Sequence, residues 1–190
     1  MSGAGRDAGG GAVGLRRAGP DDLEYLSALG RDPQVEPFLA PDAGAPERLE
    51  AILTRAEADG EPAGLFVLCR GQERLGGLAL QLVSARSRSC ELTRLMIDPA
   101  RRRSGFGMQA VRLAVHHALV VHGFHRVQAE TYGDNLPGQR LFERVGFTRE
   151  GVRRRAYWRR GRWLDGVLFG ILVEELGARP GDWVHGGGGG

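Results

Sequence analysis

The alternation of apolar and polar positions changes period several times along the 190 residues. Over residues 46–59, Leu49, Ile52, Leu53 and Ala56 recur at the spacing of one helical face, and Gly60 follows as a stop. Pro20, Asp21 and Asp22 precede a second helical segment at residues 23–29, where proline and acids suit a first turn. Residues 32–41, with three prolines, read as loop or short helix, and residues 15–17 as a short strand. Residues 65–70 and 75–83 are apolar runs joined by a turn at 71–73. Residues 90–98 alternate, which predicts a strand with Glu91, Thr93, Leu95 and Ile97 on one face and Leu92, Arg94 and Met96 on the other. Residues 105–121 are apolar around most of their girth, as in a long buried helix. Residues 126–132 form a further strand, and 136–145 a short helix with Pro137 in its first turn and Gly146 at its C-cap. Residues 148–158 and 163–174 close the chain as a hairpin. The order is β-α-α-β-β-β-α-β-α-β-β, an α/β fold with a mixed sheet.

Composition narrows the class. At 42% hydrophobic and 26% charged the chain reads as one ordinary globular domain. That domain is expected over residues 13–177, between mobile Gly-rich tails at 1–12 and 178–190. No apolar run reaches the roughly 18 residues of a membrane span. The Gly- and Ala-rich start has no apolar signal core, so a cytoplasmic location is expected. Cys69 and Cys90 lie in apolar strand contexts and are expected as buried free thiols. His116, His117, His122 and His125 show no metal-ligand spacing, so no metal is expected. All 26 basic residues are arginines, clustered at 101–103, 153–155 and 159–160, with a net charge of +3. Such clusters bind phosphate, acidic protein or nucleic acid, or form a solvated surface.

The segment Arg102-Arg103-Ser104-Gly105-Phe106-Gly107 lies between a strand and the long helix. Backbone N–H groups at a helix start lack intrahelical partners, and the helix dipole adds positive character there. Gly105 and Gly107 would let a phosphate approach the backbone. A phosphate-binding loop of the lysine type is excluded, because the chain has no lysine, and the full dinucleotide fingerprint is missing.

Residues 90–99 followed by Arg102-x-x-Gly105-x-Gly107 resemble the acetyl-CoA-binding strand and loop of the GNAT N-acetyltransferase superfamily. Asn135-x5-Leu141-Phe142-Glu143-Arg144-x-Gly146-Phe147 is similar to that family's second signature. Glu150-Gly151, Arg154, Tyr157, Trp163 and Asp165 resemble the branch containing ribosomal-protein N-terminal acetyltransferases. The resemblance implies a GNAT-like mixed, mostly antiparallel sheet of six to seven strands with about four helices, acting as an acyl-CoA N-acyltransferase.

By that resemblance, acetyl-CoA is the co-substrate. Its pyrophosphate is expected on the amides of Arg103, Ser104, Gly105, Phe106, Gly107 and Met108, with Arg102 alongside. The pantetheine arm is expected along Leu95, Met96 and Ile97, in a splay between that strand and residues 126–132 helped by a bulge. Asn135 and Phe142 are expected beside the CoA arm. Direct attack by an amine needs a base, for which Glu91 and Glu130 are candidates, and an oxyanion donor, expected at the Met96 or Ile97 amide. Tyr157, Trp163 and Asp165 are candidates for the acceptor site.

Two positions depart from the family pattern. Phe142 stands where many members have a tyrosine that protonates the CoA thiolate, so the thiolate leaves unaided, Tyr132 or Tyr157 substitutes, or activity is lost. Gly138 stands where alanine is common, at a helix cost of about 1 kcal/mol. Two alternatives stay open: a CoA-binding module without turnover, and an arginine-rich ribosome- or RNA-associated protein. Neither a membrane nor nucleic acid is the expected partner, and the C-terminal hairpin is compatible with a homodimer.

Overall fold

The computed structural model describes residues 11–59 and 63–176, with side chains to residue 55 and from 63. The tails expected at 1–12 and 178–190 fall almost wholly outside the described residues. Among the described residues there are seven strands and five α-helices: β1 (Val13–Arg17), α1 (Leu23–Arg31), α2 (Pro46–Asp59), β2 (Gly64–Arg70), β3 (Glu73–Ser84), β4 (Ser89–Ile97), α3 (Phe106–His116), β5 (Arg126–Tyr132), α4 (Leu136–Val145), β6 (Thr148–Arg159), β7 (Arg162–Leu172) and α5 (Val173–Leu176).

The strands form one sheet in the order β1-β2-β3-β4-β5-β7-β6. Every described pairing is antiparallel except β4 with β5. A parallel pair needs a crossover, and α3 supplies it. Alternation along the strands gives the sheet two apolar faces. Phe66, Leu78, Leu80, Leu92, Val127, Phe169 and Ile171 meet Ala110, Val111 and Val115 of α3 and Phe142 and Val145 of α4 on one side. Leu65, Val67, Ala79 and Met96 meet Leu26 and Leu29 of α1 and Leu49 of α2 on the other. Burying each such leucine or phenylalanine contributes about 1.5–3 kcal/mol.

Two element ends differ from the sequence expectation. The helix expected over 105–121 is α-helical to His116 and continues as a widened π turn, His117–Val121, closed by the Phe124 N–H donating to Ala118 O at 3.0 Å. The last strand ends at Leu172, where the Glu175 side chain accepts the Leu172 N–H at 2.8 Å and starts α5. Among the described residues no helix is long and apolar enough to cross a membrane. Cys69 and Cys90 are free, Cys69 half-buried and Cys90 buried, where desolvation pushes the Cys90 thiol up to about 12.

Candidate active site

The β4–β5 ladder runs from Ser89↔Arg126 to Leu92↔Ala129 and stops, although both strands continue. The cause is a bulge in β4. Gly77 pairs with Met96 and Ala79 with Thr93, so β4 carries one extra residue there, and Arg94 takes φ 52°. The opposite strand makes room with Gly76, where a Cβ would overlap Met96 O and come within 3.0 Å of Ile97 Cδ1. The bulge corrects the expected alternation: Leu95 and Ile97 join Cys90 and Leu92 on the α3 side, while Met96 faces α1 and α2. Glu91 keeps the opposite face from Leu92. The Asp98 N–H donates to Leu75 O of β3 at 3.0 Å, so alternation turns the Ile97 amide toward the open side, the splay.

Beyond the splay lies the arginine-glycine loop. Asp98 caps a 3-10 turn by accepting the Ala100 N–H at 2.9 Å. Arg103 at φ 64° and Gly105 at φ 79° then swing the chain into α3. The helix opens on the Gln109 N–H to Gly105 O bond at 3.1 Å, which leaves the amides of residues 105–108 without intrahelical acceptors. The two glycines have different jobs. Gly105 supplies the left-handed cap with open space around it, whereas a Cβ on Gly107 would meet Leu141 Cδ1 of α4 at 2.8 Å. Gly107 therefore also serves helix packing, a role the sequence did not suggest. Nor do the three arginines all face an anion. Arg101 pairs with Glu73, and Arg102 reaches the Gln34 carbonyl at 2.8 Å, while Arg103 stays exposed beside the loop.

Glu91 and Glu130 come together near the apex of the splay. Burial, and next the Glu130 charge, push the Glu91 carboxyl above the ordinary range, with Arg153 opposing. Glu91 has no hydrogen-bond partner among the described residues. Glu130 accepts the Tyr157 hydroxyl at 2.8 Å and lies 3.4 Å from Arg153. Its side chain crosses β7 at Gly166, where a Cβ would overlap Glu130 Oε1 and come within 2.8 Å of Tyr157 Cε2. Neither Gly166 nor Arg153 was among the site residues expected from the sequence; a glycine inside an apolar strand was the available signal for a close approach.

Phe142 is buried among Phe147 and Phe169, with ring centroids 5.2 and 5.4 Å away. Both tyrosines that could replace its missing hydroxyl already donate elsewhere, Tyr132 to Leu39 O at 3.3 Å and Tyr157 to Glu130. Asn135 caps α4, accepting the Gly138 N–H at 3.0 Å and donating to Thr131 Oγ1 at 2.8 Å. A Cβ on Gly138 would stand 2.5 Å from Asn135 Nδ2. Gly138 is thus more than a helix weakness, because it lets Asn135 fold over the helix end.

Of the other hairpin candidates, Asp165 accepts the Arg155 N–H at 2.7 Å and so anchors a second bulge, where β6 has two extra residues between Arg153 and Tyr157. Trp163 is exposed and stacks edge-on with Trp158 at 5.2 Å. The hairpin tip, the 32–38 loop and Arg102 enclose a cleft of about 430 Å³ that also receives Asp134, Arg159, Arg160 and Arg162. Against its burial, hydrogen bonds from Arg159 and Arg160 hold the Glu36 carboxyl below its ordinary range. Among the described residues no group of three or more His, Cys, Asp or Glu side chains is placed to hold a metal.

A family profile described as Acetyltransferase (GNAT) domain matches residues 13–148. The chain belongs to the GNAT family. Its GNAT relatives include the probable N-acetyltransferase YjcK of Bacillus subtilis (strain 168), 33% identical over 79 residues, 42% of this chain and 44% of that one. The uncharacterized SPbeta prophage-derived N-acetyltransferase YokL of the same organism is 29% identical over 75 residues, 40% and 42% of the two chains. The matched segments span less than half the length of either curated relative. Among solved structures, spermidine N-acetyltransferase from Vibrio cholerae in complex with CoA and spermine superposes with a TM-score of 0.77 at 20% identity. That match covers 86% of this chain and 97% of the other. A chimera of the Vibrio enzyme with hSSAT gives 0.78 at 21% identity, over 88% and 99%. Likeness at that identity carries the GNAT fold. The narrower resemblance to ribosomal-protein acetyltransferases is not what these relatives show.

Proposed function

We propose that this GNAT protein transfers an acetyl group from acetyl-CoA to a primary amine by direct attack in a ternary complex. The observation that carries this reading is the splay. It opens a strand edge of β4 that leads from the unpaired amides at the start of α3 to the Glu91–Glu130 pair. The amides of residues 103–108 suit a pyrophosphate, and the unpaired edge at Leu95 and Ile97 suits an extended amide-bearing arm.

In this mechanism the acceptor ammonium gives one proton to Glu91, directly or through water, because that carboxylate has the raised proton affinity and an open coordination shell. Glu130, held by Tyr157 and Arg153, adds negative charge beside it. The amine nitrogen lone pair then bonds to the thioester carbonyl carbon, and the carbonyl π pair moves onto oxygen. The Ile97 N–H donates to that oxyanion. Collapse re-forms the carbonyl, breaks the C–S bond and releases the second nitrogen proton. The CoA thiolate leaves and takes a proton from solvent. No protein acid is required, because a thiol titrates near 8.5 and its anion is a competent leaving group. This reading of Phe142 sets aside the module without turnover.

The test is thiol release from acetyl-CoA with a set of primary amines, with mass spectrometry of the acceptor. Amine-dependent release with matching acetylation is expected. Bound acetyl-CoA with no acetylation of any amine would overturn the reading.

A further inference from the structure

The chemistry above leaves the arginines of the cleft unused. Arg102, Arg159, Arg160 and Arg162 line one open space of about 430 Å³. Among the described residues two carboxylates stand against these four guanidiniums. Glu36 is shared by Arg159 at 2.7 Å and Arg160 at 2.8 Å, and Asp134 meets Arg162 at 2.5 Å. Arg102 spends one Nη on the neutral Gln34 carbonyl at 2.8 Å. A guanidinium has five N–H donors in a planar fork, so most of the donor capacity lining the cleft is not used by these bonds. Arg160 and Arg162 are 61% and 64% exposed, free to reach a ligand, whereas Arg159 is 12% exposed and fixed.

A path of packed side chains links the cleft to the reacting groups. Arg159 lies 5.6 Å from the Tyr132 ring centroid, Tyr132 stands edge-on to Tyr157 at 5.2 Å, and Tyr157 donates to Glu130. Along this path the arginines put cations at one end and Glu130 with Glu91 puts anions at the other.

Taking the transferase reading as given, we propose that the acceptor is a primary amine that also carries a carboxylate, with Arg160 and Arg162 gripping the carboxylate while the amine meets Glu91 and Glu130. Bidentate guanidinium–carboxylate pairing suits this geometry. A polyamine offers only positive charge and is repelled from the arginine end.

The experiment compares spermidine with free glutamate and with the dipeptide of glutamate, in the wild type and in Arg160→Gln and Arg162→Gln. Carboxylate-bearing amines are expected to be acetylated in preference to spermidine. Each substitution is expected to raise their KM about tenfold, with kcat and the acetyl-CoA Kd nearly unchanged. Glutamate against dipeptide tells a free amino acid from a peptide end. Spermidine preferred, or a KM indifferent to both substitutions, would overturn the proposal. So would a matching rise in the acetyl-CoA Kd, which would assign the arginines to the CoA phosphates. If no amine is acetylated, calorimetric binding decides in the same way: dipeptide over spermidine supports the proposal and the reverse overturns it. Loss of acetyl-CoA binding in all three proteins would instead strike the transferase reading.

Discussion

Gly166→Ala isolates the placement of Glu130 from everything else in the fold. The new Cβ overlaps Glu130 Oε1 and stands 2.8 Å from Tyr157 Cε2. Both atoms belong to the far ends of side chains, so they can swing aside and the β-strand need not move. What is lost is the 2.8 Å hydrogen bond from Tyr157 to the carboxylate, and a hydrogen bond to a charged group contributes about 1.5–3 kcal/mol. The unfolding midpoint should therefore fall only modestly. Activity should fall further, because displacing a reacting-site group by about 1 Å costs up to about 100-fold. The expected result is a folded protein with an unchanged acetyl-CoA Kd and kcat/KM reduced about 10- to 100-fold. Tyr157→Phe, which removes the bond without a clash, should lower activity less. Wild-type kcat/KM in folded Gly166→Ala would refute the role given to Glu130, and an equal loss of acetyl-CoA affinity would refute its separation from the CoA site.

Glu91→Gln should abolish the acidic limb of the pH profile: in the wild type kcat/KM rises as pH climbs through a carboxyl held above its ordinary range by burial and by Glu130, whereas the amide has nothing to titrate. A profile that keeps this limb in the variant would move the base elsewhere. Asp22 is almost fully buried and accepts from Arg16 at 2.7 and 2.9 Å, from the Gly19 N–H and from Arg74, which hold it down to about 2, led by the Arg16 bond. Its contribution, about 2 kcal/mol, is present above the ordinary 3.8 and lost as pH falls toward about 2, so the fall in stability across that window should be about 2 kcal/mol smaller in Asp22→Asn, which should itself be about 2–3 kcal/mol less stable at neutral pH by denaturant titration. Gly76→Ala should weaken acetyl-CoA binding with little change in the acceptor KM, because its Cβ meets the Met96 carbonyl, backbone that must move and take the bulge with it; unchanged affinity would mean that the bulge does not set the CoA edge.

Where local chemistry decides the structure, it could be read directly. The ranges expected for α2, β5 and α4 coincide with those observed, because prolines, caps and Gly146 fix their ends without tertiary help. The backbone of the arginine-glycine loop was legible for the same reason, since unpaired amides at a helix start follow from backbone geometry alone. The bulge position was not. Period-two alternation through residues 90–98 concealed a phase slip that depends on Gly76 of a different strand, and only the Gly76–Gly77 pair hinted at it. The bulge that Asp165 anchors was not legible, because its partner is a backbone N–H that no sequence pattern marks. The joining of the arginine clusters in one cleft was hidden as well, since it assembles Arg102 with residues nearly sixty positions away on the hairpin.

The most direct test of the account is calorimetric titration of acetyl-CoA into the wild type and into Gly105→Glu. Gly105 holds φ 79° in open space, so glutamate there fills no core. It strains one turn by about 1–2 kcal/mol and sets a negative charge among the amides assigned to the pyrophosphate. Micromolar binding by the wild type, lost in a folded variant, is the predicted result. No binding by folded wild type, or equal binding by both, would contradict the placement of acetyl-CoA at the splay between β4 and β5.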